Sequence, residues 1–273
     1  MNRRAFFRSV ATALGAASVA GTGYAIFESG WVRIDRQTLA LRNLPAGFRG
    51  LKVAFLTDIH HGPYVDLDFV LRCVRTANLL DPDLILLGGD YTLRDAKYAT
   101  PCFEVLAGLK APLGVYGVLG NHDYWHGLRE TKAGFRAAGI TELTNAGVWL
   151  TREGDRTRIG GVDDLWCGSP NVDLALGDAT NRDACLVVSH NPDFAETLHD
   201  RRVGLILAGH THGGQVAIPG FTPPWVPSRY GSKYLRGRVD TPCTTVYISQ
   251  GLGMAGLPVR FGSRPEINLI TLT

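Results

Sequence analysis

The chain has 273 residues, of which 45% are hydrophobic and 19% charged, proportions that are ordinary for a globular protein and argue against a disordered or polytopic membrane protein. Its formal net charge of +3 comes from Arg3, Arg4 and Arg8, because the remaining 25 basic residues equal the 25 acidic ones. A chain whose remaining charges balance in this way gives no electrostatic argument for nucleic-acid binding. The five cysteines are widely spaced and form no CxxC pair, which indicates buried apolar residues.

The N-terminal segment has the pattern of an export signal. It begins MNRRAFFR, with paired arginines, and continues as a weakly apolar stretch. This pattern resembles a twin-arginine signal, although Asn2 stands where serine or threonine is usual. We expect residues 1–27 to be a signal or membrane anchor, read by the twin-arginine translocase, that takes the folded protein to the periplasm or cell envelope. Ser18 to Ala20 form an imperfect cleavage site, so removal and retention both stay open.

The body, residues 28–273, is predicted to be one domain of alternating strands and helices. Trp31 to Leu41 alternates apolar and polar residues, which predicts a half-buried strand at a sheet edge. Asp66 to Asp81 has apolar residues at helical spacing behind aspartates suited to cap a helix. Further helices are predicted at 128–138 and at 192–200, the latter with Asn191 as N-cap, and further strands at 158–164, 244–249 and 267–273.

Five continuous apolar runs share one feature, which is that each ends in Asp, Asn or His. In chain order the runs are VAFLTDIHHG, LILLGGD, VYGVLGNHD, ACLVVSHNP and LILAGHTHGGQ. Such runs predict strands buried on both faces, and ligands collect outside the carboxyl ends of such strands in open α/β sheets. One histidine at a strand end needs no explanation, but the repeated coincidence predicts a single functional site.

The polar residues at these strand ends form a set suited to metal ligation. Carboxylate, amide and imidazole ligands without thiolate are typical of Mn, Fe or Zn. The seven residues are too many for one ion, so we expect two divalent ions about 3.5–4 Å apart. Asp90, which follows Gly88 and Gly89, is the natural bridge. The set is Asp58, His60, Asp90, Asn121, His190, His210 and His212.

In their order, these motifs resemble those of the calcineurin-like metallophosphoesterases. They are D-x-H at Asp58, G-G-D at Gly88, G-N-H-D at Gly120, the lone His190 and G-H-T-H at Gly209, and they span nearly the whole body. The resemblance implies an α/β fold of two packed mixed sheets flanked by helices, a four-layer αββα sandwich. It also implies hydrolysis of phosphoesters by attack of a metal-bridging hydroxide.

Individual roles follow from the same resemblance. Asp58, His60 and His212 are implied to hold one ion and Asn121, His190 and His210 the other, with Asp90 between them. His122 matches the family's non-ligand histidine that hydrogen-bonds the phosphoryl or leaving oxygen, and Asp123 is expected to orient it. Two cations and such a donor stabilise the charge of phosphoryl transfer without a side-chain nucleophile. His61 has no assigned role and is expected at the surface or behind the ligands.

The C-terminal tail narrows the resemblance to one branch. Residues 248–272, together with the Gly-Gly-Gln after His212, resemble bacterial exported or membrane-anchored phosphoesterases, which are similar to enzymes that cleave UDP-2,3-diacylglucosamine. This implies phosphodiester or pyrophosphate-linked substrates, lipid-linked ones included, and association with a membrane. The irregular loop 219–237 is expected to be functional. Its candidate substrate contacts are Arg229, Lys233 and Arg236.

Two alternatives stay open. One is an extracellular nucleotide or nucleic-acid phosphodiesterase, against which the balanced charge weighs. The other is a non-catalytic metal-binding scaffold, which a chain that retains every candidate ligand does not favour. Purple acid phosphatases, with a tyrosine ligand where this chain has Leu93, and Ser/Thr protein phosphatases, with GNHE in place of GNHD, are both disfavoured.

Overall fold

The N-terminal helical stretch is joined to the body by a buried carboxylate. The computed structural model describes residues 21–218 and 220–273, so most of the predicted export segment lies outside the described residues. Residues 21–29 are helical, and the side chain of Glu28 accepts hydrogen bonds from the backbone N–H groups of Gly262 and Ser263, each at 3.1 Å. Within the described part of the chain, none of the helices has the length and apolar character to cross a bilayer.

Two six-stranded mixed sheets form the centre of the molecule. The first contains, in spatial order, β1 (Arg33–Leu39), β12 (Glu266–Leu272), β2 (Lys52–Leu56), β3 (Leu84–Leu87), β4 (Val115–Gly117) and β5 (Thr141–Glu142). The second contains β10 (Gly237–Asp240), β11 (Thr245–Ile248), β9 (Leu205–Ala208), β8 (Cys185–Val188), β7 (Asp155–Gly161) and β6 (Ala146–Arg152). Neighbouring strands are parallel except for β12 with β2, β10 with β11 and β6 with β7.

Helices cover the outer face of each sheet. The first sheet carries α1 (Leu67–Leu79), α2 (Ala99–Leu106) and α3 (Asn121–Ala138), and the second carries α4 (Val172–Leu176) and α5 (Phe194–Thr197). The predicted capping of α1 is confirmed, since the side chain of Asp66 accepts a hydrogen bond from the amide of Phe69 at 2.7 Å.

Two predicted helices differ in extent from the observed ones. The helix expected at 128–138 is confirmed as the second part of α3, and a first part from Asn121, with Gly120 as N-cap, precedes it across a kink at Gly127 (φ 158°, ψ 55°). The helix expected at 192–200 is only α5, because the backbone is already extended at Leu198. Asn191 caps the turn before it as predicted, since its side chain accepts a hydrogen bond from the amide of Asp193 at 2.9 Å. Amphipathic spacing locates a helix better than it locates the ends, which depend on capping contacts.

The apolar residues of the strands point alternately to two different layers. On β2, Val53 and Phe55 face the second sheet, whereas Ala54 and Leu56 pack beneath the helices of the first sheet. Full burial of such a side chain contributes roughly 1.5–3 kcal/mol. The predicted four-layer αββα arrangement is confirmed, with β1 at a sheet edge as expected. All five cysteines lie in the described residues and are free.

Candidate metal centre

The five polar strand ends meet at one edge of the sandwich. Strands β2, β3 and β4 of the first sheet and β8 and β9 of the second all point their carboxyl ends at this edge. The structure brings all seven predicted ligands together here, and each of them is at most 4% exposed. The centre therefore lies between the two sheets, where neither sheet alone would complete it.

The candidate ligand atoms fall into two groups. Those of Asp58, His60 and His212 lie within 4.8 Å of one another, and so do those of Asp90, His190 and His210. Oδ2 of Asp90 lies 3.2 Å from Nε2 of His190 and 3.5 Å from Nε2 of His60, so this carboxylate reaches both groups. The Asn121 side-chain oxygen lies in the second group, 3.1 Å from Nε2 of His190. Which ion each group holds stays a prediction.

The residues fit divalent transition-metal ions. Nε2 of His60 and Nε2 of His212 are 3.1 Å apart, and Nε2 of His190 and Nδ1 of His210 are also 3.1 Å apart. Such close imidazole nitrogens beside buried carboxylates suit a shared cation. Among the described residues, buried Nδ1 of His60 and Nε2 of His210 have no hydrogen-bond partner. A polar cluster of this kind is costly to bury unless a cation or hydrogen bonds compensate it.

The backbone of the centre is strained. Positive φ angles occur at most of the predicted ligands, namely Asp58 (53°), His60 (50°), Asp90 (58°), His210 (70°) and His212 (52°). This region costs a non-glycine residue on the order of 1–3 kcal/mol. Close approach also requires a glycine before His210, since a Cβ at Gly209 would lie 2.2 Å from Oδ2 of Asp58. The fold thus holds the ligands in conformations that short-range preferences do not favour.

His190 and Asp90 form a charged pair within the centre. Nδ1 of His190 donates to the carbonyl of Gly88 at 2.8 Å, which directs Nε2 toward Asp90. Burial alone would lower the pKa of His190, but the charge of Asp90 and its hydrogen bond raise it to about 10. Burial alone would raise the pKa of Asp90, but His190 and His122 hold it well below its usual value. Burial lowers the pKa of His60 to about 3, so this imidazole is neutral.

Metal binding is expected to release a proton from His190. A ligating imidazole must be neutral, whereas the pKa of His190 is raised to about 10 in the metal-free protein. The affinity for Mn²⁺ or Zn²⁺ should therefore rise with pH across the range below that pKa, by at most about tenfold per pH unit for one proton. Titration calorimetry in two buffers of different ionisation enthalpy would measure the release. Heats that do not depend on the buffer would contradict it.

Asp123 does not have the predicted role. Its carboxylate accepts hydrogen bonds from the backbone N–H groups of Asp90, Tyr91 and Gly120, each at 2.9 Å. Nδ1 of His122 is buried without a hydrogen-bond partner among the described residues. The expectation that Asp123 orients His122 is therefore wrong. As the third residue of α3, Asp123 caps the helix and fixes the loop that carries Asp90.

His122 lies at the centre as predicted, on the side open to solvent. Its backbone N–H donates to Oδ1 of Asp90 at 2.8 Å, and its ring is 4.7 Å from the ring of His60. Burial lowers its pKa, and the charges of Asp90 and Asp164 oppose that effect. Its ring nitrogen also lies within 4.8 Å of the ligand atoms of His60 and Asp90. At these distances His122 can act either as a metal ligand or as a hydrogen-bond donor to the substrate, and a substitution of His122 has to distinguish the two roles.

The three candidate substrate contacts lie in different surroundings. Lys233 forms an ion pair with Glu196, and Arg236 donates to the side-chain oxygen of Gln250 at 3.0 Å. Arg229 is exposed and lines a cavity of about 430 Å³ beside Trp166. Of the three, Arg229 is the one whose side chain faces a cavity next to the centre. His61 is buried, and its Nδ1 lies 2.8 Å from the carbonyl of Val65.

Sequence reasoning missed two buried charged residues near the ligands. Nη2 of Arg260 lies 3.1 Å from Nδ1 of His212, on the side of the ring away from Asp58. Asp164 follows β7, and its Oδ1 accepts from the amides of Trp166 and Cys167. The run RIGGVDD also ends in aspartate, so the strand-end argument applied there would have found Asp164. Arg260 lies in a Gly- and Pro-rich tail that carries no such signal.

A family model and two full-length relatives agree on the family to which the chain belongs. The model of the calcineurin-like phosphoesterase family matches residues 51–214, a range that contains all seven predicted ligands. The chain is 34% identical over 280 residues to the uncharacterized metallophosphoesterase YkuE of Bacillus subtilis strain 168, covering 100% of this chain and 98% of that protein. It is 33% identical over 279 residues to Phosphodiesterase YaeI of Escherichia coli K12, with coverage of 100% and 99%. Among solved structures, TT1561 of Thermus thermophilus matches with 13% identity and a TM-score of 0.49, over 74% of this chain and 90% of that one.

Proposed function

The chain belongs to the calcineurin-like phosphoesterase family and is a metal-dependent phosphoester hydrolase, and from that premise we propose that it cleaves phosphodiester or pyrophosphate-linked substrates, lipid-linked ones among them, at a centre of two divalent ions. The observation that carries the proposal is the sharing of Asp90 between the two groups of ligand atoms. When bound, two such ions lower the pKa of the attacking water and neutralise charge on the phosphoryl oxygens.

The chain's own residues hold and orient these components. Asp58, His60 and His212 would hold one ion and Asn121, His190 and His210 the other, with Asp90 in common. Oδ2 of Asp58 accepts from the hydroxyl of Thr57 at 2.8 Å and from the amide of His210 at 3.0 Å, which fixes the carboxylate. His122, on the open side, would donate a hydrogen bond to the phosphoryl or leaving oxygen. Mn, Fe and Zn all suit this set of ligands.

Preference for diesters is supported by the cavity that opens on the centre. Its volume is about 250 Å³, and it is lined by Asp90, Asn121 and His122 together with aromatic, imidazole and small apolar side chains. Among the described residues, neither lysine nor arginine lines it. A phosphomonoester carries one more negative charge than a diester and therefore gains more from lysine or arginine side chains near the metal ions. A cavity without such side chains favours the diester.

A lipid-linked substrate is supported by a second cavity next to the first. It measures about 260 Å³, and its apolar wall includes Val216, Pro224 and Leu257. The two cavities share four lining residues, namely His212, Trp225, Ala255 and Gly256. An acyl chain in the apolar cavity would thus place its attached phosphate at the ions. Leu257 is 60% exposed at the rim, where such a chain would enter.

The test of this proposal is a comparison of substrates. Bis-p-nitrophenyl phosphate should give a higher kcat/KM than p-nitrophenyl phosphate with Mn²⁺, and UDP-diacylglucosamine should be cleaved. Leu257→Gln should lower kcat/KM for the lipid by roughly tenfold, the cost of losing one apolar contact, and leave bis-p-nitrophenyl phosphate unaffected. Leu174→Gln is the matched control, because Leu174 on α4 is 59% exposed and lines neither cavity. A higher kcat/KM for the monoester would refute the diester preference, and failure to cleave the lipid would leave phosphodiesterase activity alone.

The alternative is a nucleotide phosphodiesterase, and one observation favours it. Exposed tryptophans surround the mouth of the centre, with Arg229 beside them. Nucleotides present flat rings and phosphates that match such side chains. A non-catalytic scaffold has no comparable support, because all seven candidate ligands are present and converge.

We further propose export through the twin-arginine translocase to the periplasm or cell envelope, with or without retention at the membrane. The support is the sequence of residues 1–27. Changing Arg3→Lys and Arg4→Lys together is expected to keep the protein in the cytoplasm, because the signal is recognised as a motif and charge alone does not replace it. Cell fractionation measures this. Unchanged export of the unaltered chain in a strain without the twin-arginine translocase would contradict the proposal.

A further inference from the structure

Two tryptophans at the mouth of the metal centre form a loosely stacked pair. The ring centroids of Trp125 and Trp166 are 6.4 Å apart, and the ring planes are inclined by 29°. Carbon atoms in van der Waals contact are about 3.5 Å apart, so a flat ring between two others needs about twice that distance. The observed centroid distance of 6.4 Å is a little over half an ångström shorter than that required spacing. A small outward movement of either indole would admit one planar ring.

Each indole packs against a histidine of the centre. Trp125 packs against the ring of His122 with centroids 4.8 Å apart, and Trp166 packs edge-on against the ring of His210 at 4.4 Å. Both indoles also line the cavity that contains Asp90. A ring held between them would therefore share one cavity with a phosphate at the ions.

The segment that carries Trp166 is held in place without a ligand. The amides of Trp166 and Cys167 donate to Oδ1 of Asp164 at 2.9 and 2.8 Å. The Tyr124 hydroxyl, one residue before Trp125, donates to Oδ1 of Asp163 at 2.5 Å and so joins the two segments. The two tryptophans nevertheless remain 53% and 39% exposed. Large aromatic surface left open on a rigid support is typical of a binding site.

We propose that Trp125 and Trp166 form a clamp that holds the nucleobase of a substrate whose phosphate is cleaved at the adjacent centre. This inference rests on the proposed phosphoesterase function and specifies its substrate class as one with a nucleoside next to the scissile phosphate. An acyl chain is the poorer occupant, since it gains little from two flat aromatic faces and has the aliphatic cavity at Leu257 available. Stacking on both faces tolerates any base, so the clamp recognises flatness more than base identity.

The test compares two ligands that differ by the base. Adenosine 5′-monophosphate and ribose 5-phosphate are titrated against the Mn²⁺-loaded protein by calorimetry. Adenosine monophosphate should bind about tenfold more tightly, the low end of what base stacking provides. Trp125→Leu and Trp166→Leu should each reduce that difference several-fold, with ribose 5-phosphate affinity unchanged. Trp31→Leu is the matched control, because Trp31 is 46% exposed and stacks with Arg264, away from the cavities of the centre.

The outcomes separate the clamp from the proposed function. Equal affinities of the two ligands for the unaltered protein, with bis-p-nitrophenyl phosphate still hydrolysed, would refute the clamp and leave the phosphodiesterase. The same refutation follows if the Trp125→Leu/Trp166→Leu double variant keeps the full difference. Absence of phosphoester hydrolysis would instead refute the proposed function. Thermal melting of each variant, with Trp125→Phe and Trp166→Phe expected to retain most of the preference, separates loss of stacking from loss of folding.

Discussion

Replacement of Asp90 by asparagine is expected to weaken the binding of both metal ions and to lower kcat/KM by about 10³-fold or more. Asparagine keeps the shape of the side chain, and its oxygen can still accept the hydrogen bond from the His122 amide, seen at 2.8 Å. The negative charge that faces His190 at 3.2 Å and His60 at 3.5 Å disappears. Elemental analysis after dialysis against a dilute metal buffer, together with the diesterase assay, measures both effects.

Two further variants make this result specific. Asp58→Asn should weaken mainly the ion shared with His60 and His212, so that about one equivalent of metal remains. Asp95→Asn should change neither metal content nor rate, because Asp95 is exposed and its carboxylate contacts Lys97. If Asp90→Asn kept two tightly bound ions, Asp90 would not be the bridge.

His122→Ala should retain the metal ions and lose about 10²–10⁴-fold in kcat, the range for a positioned proton donor or charge-stabilising group. The ring of His122 faces the cavity and contacts Trp125, and the hydrogen bond from His122 to Asp90 comes from its backbone amide, which alanine keeps. The loss should be smaller with a p-nitrophenolate leaving group, which needs little protonation. Steady-state kinetics on a p-nitrophenyl diester and on an alkyl diester provide the comparison.

The neighbouring histidine supplies the control. The His126 ring lies 5.3 Å from that of His122, and His126 is not among the candidate ligands, so His126→Ala should change kcat little. Metal loss in His122→Ala would show that His122 is a ligand, as its position near His60 and Asp90 permits.

The position of the centre was predictable because a parallel strand carries two signals at once. A continuous apolar run indicates a strand that is buried on both faces. The polar residue that ends the run marks the edge of the sheet where ligands bind. Asp90 after LILLGG and His190 after CLVVS each show this pattern. The order of the motifs then identified the family, which the comparisons confirm.

Contacts around the ligands were not predictable in the same way. Asp123 is adjacent to His122 in the chain, yet α3 turns its carboxylate toward the amides of Asp90, Tyr91 and Gly120. Arg260 reaches His212 across 48 residues of chain, from the irregular segment between β11 and β12. Such contacts depend on how the sheets pack, which local spacing does not report.

The hydrogen bonds of Glu28 set a limit on how far the N-terminus can be shortened during maturation. Cleavage after Ala20 would leave Glu28 in place as the acceptor for the amides of Gly262 and Ser263. A chain that began after residue 28 would leave two amide donors unpaired, at a cost of about 1–3 kcal/mol for each one that stays buried. Ser263 also donates through its hydroxyl to the carbonyl of His212, at 2.5 Å. A chain shortened beyond Glu28 would therefore have a looser catalytic edge, whether or not the export segment is removed in the cell.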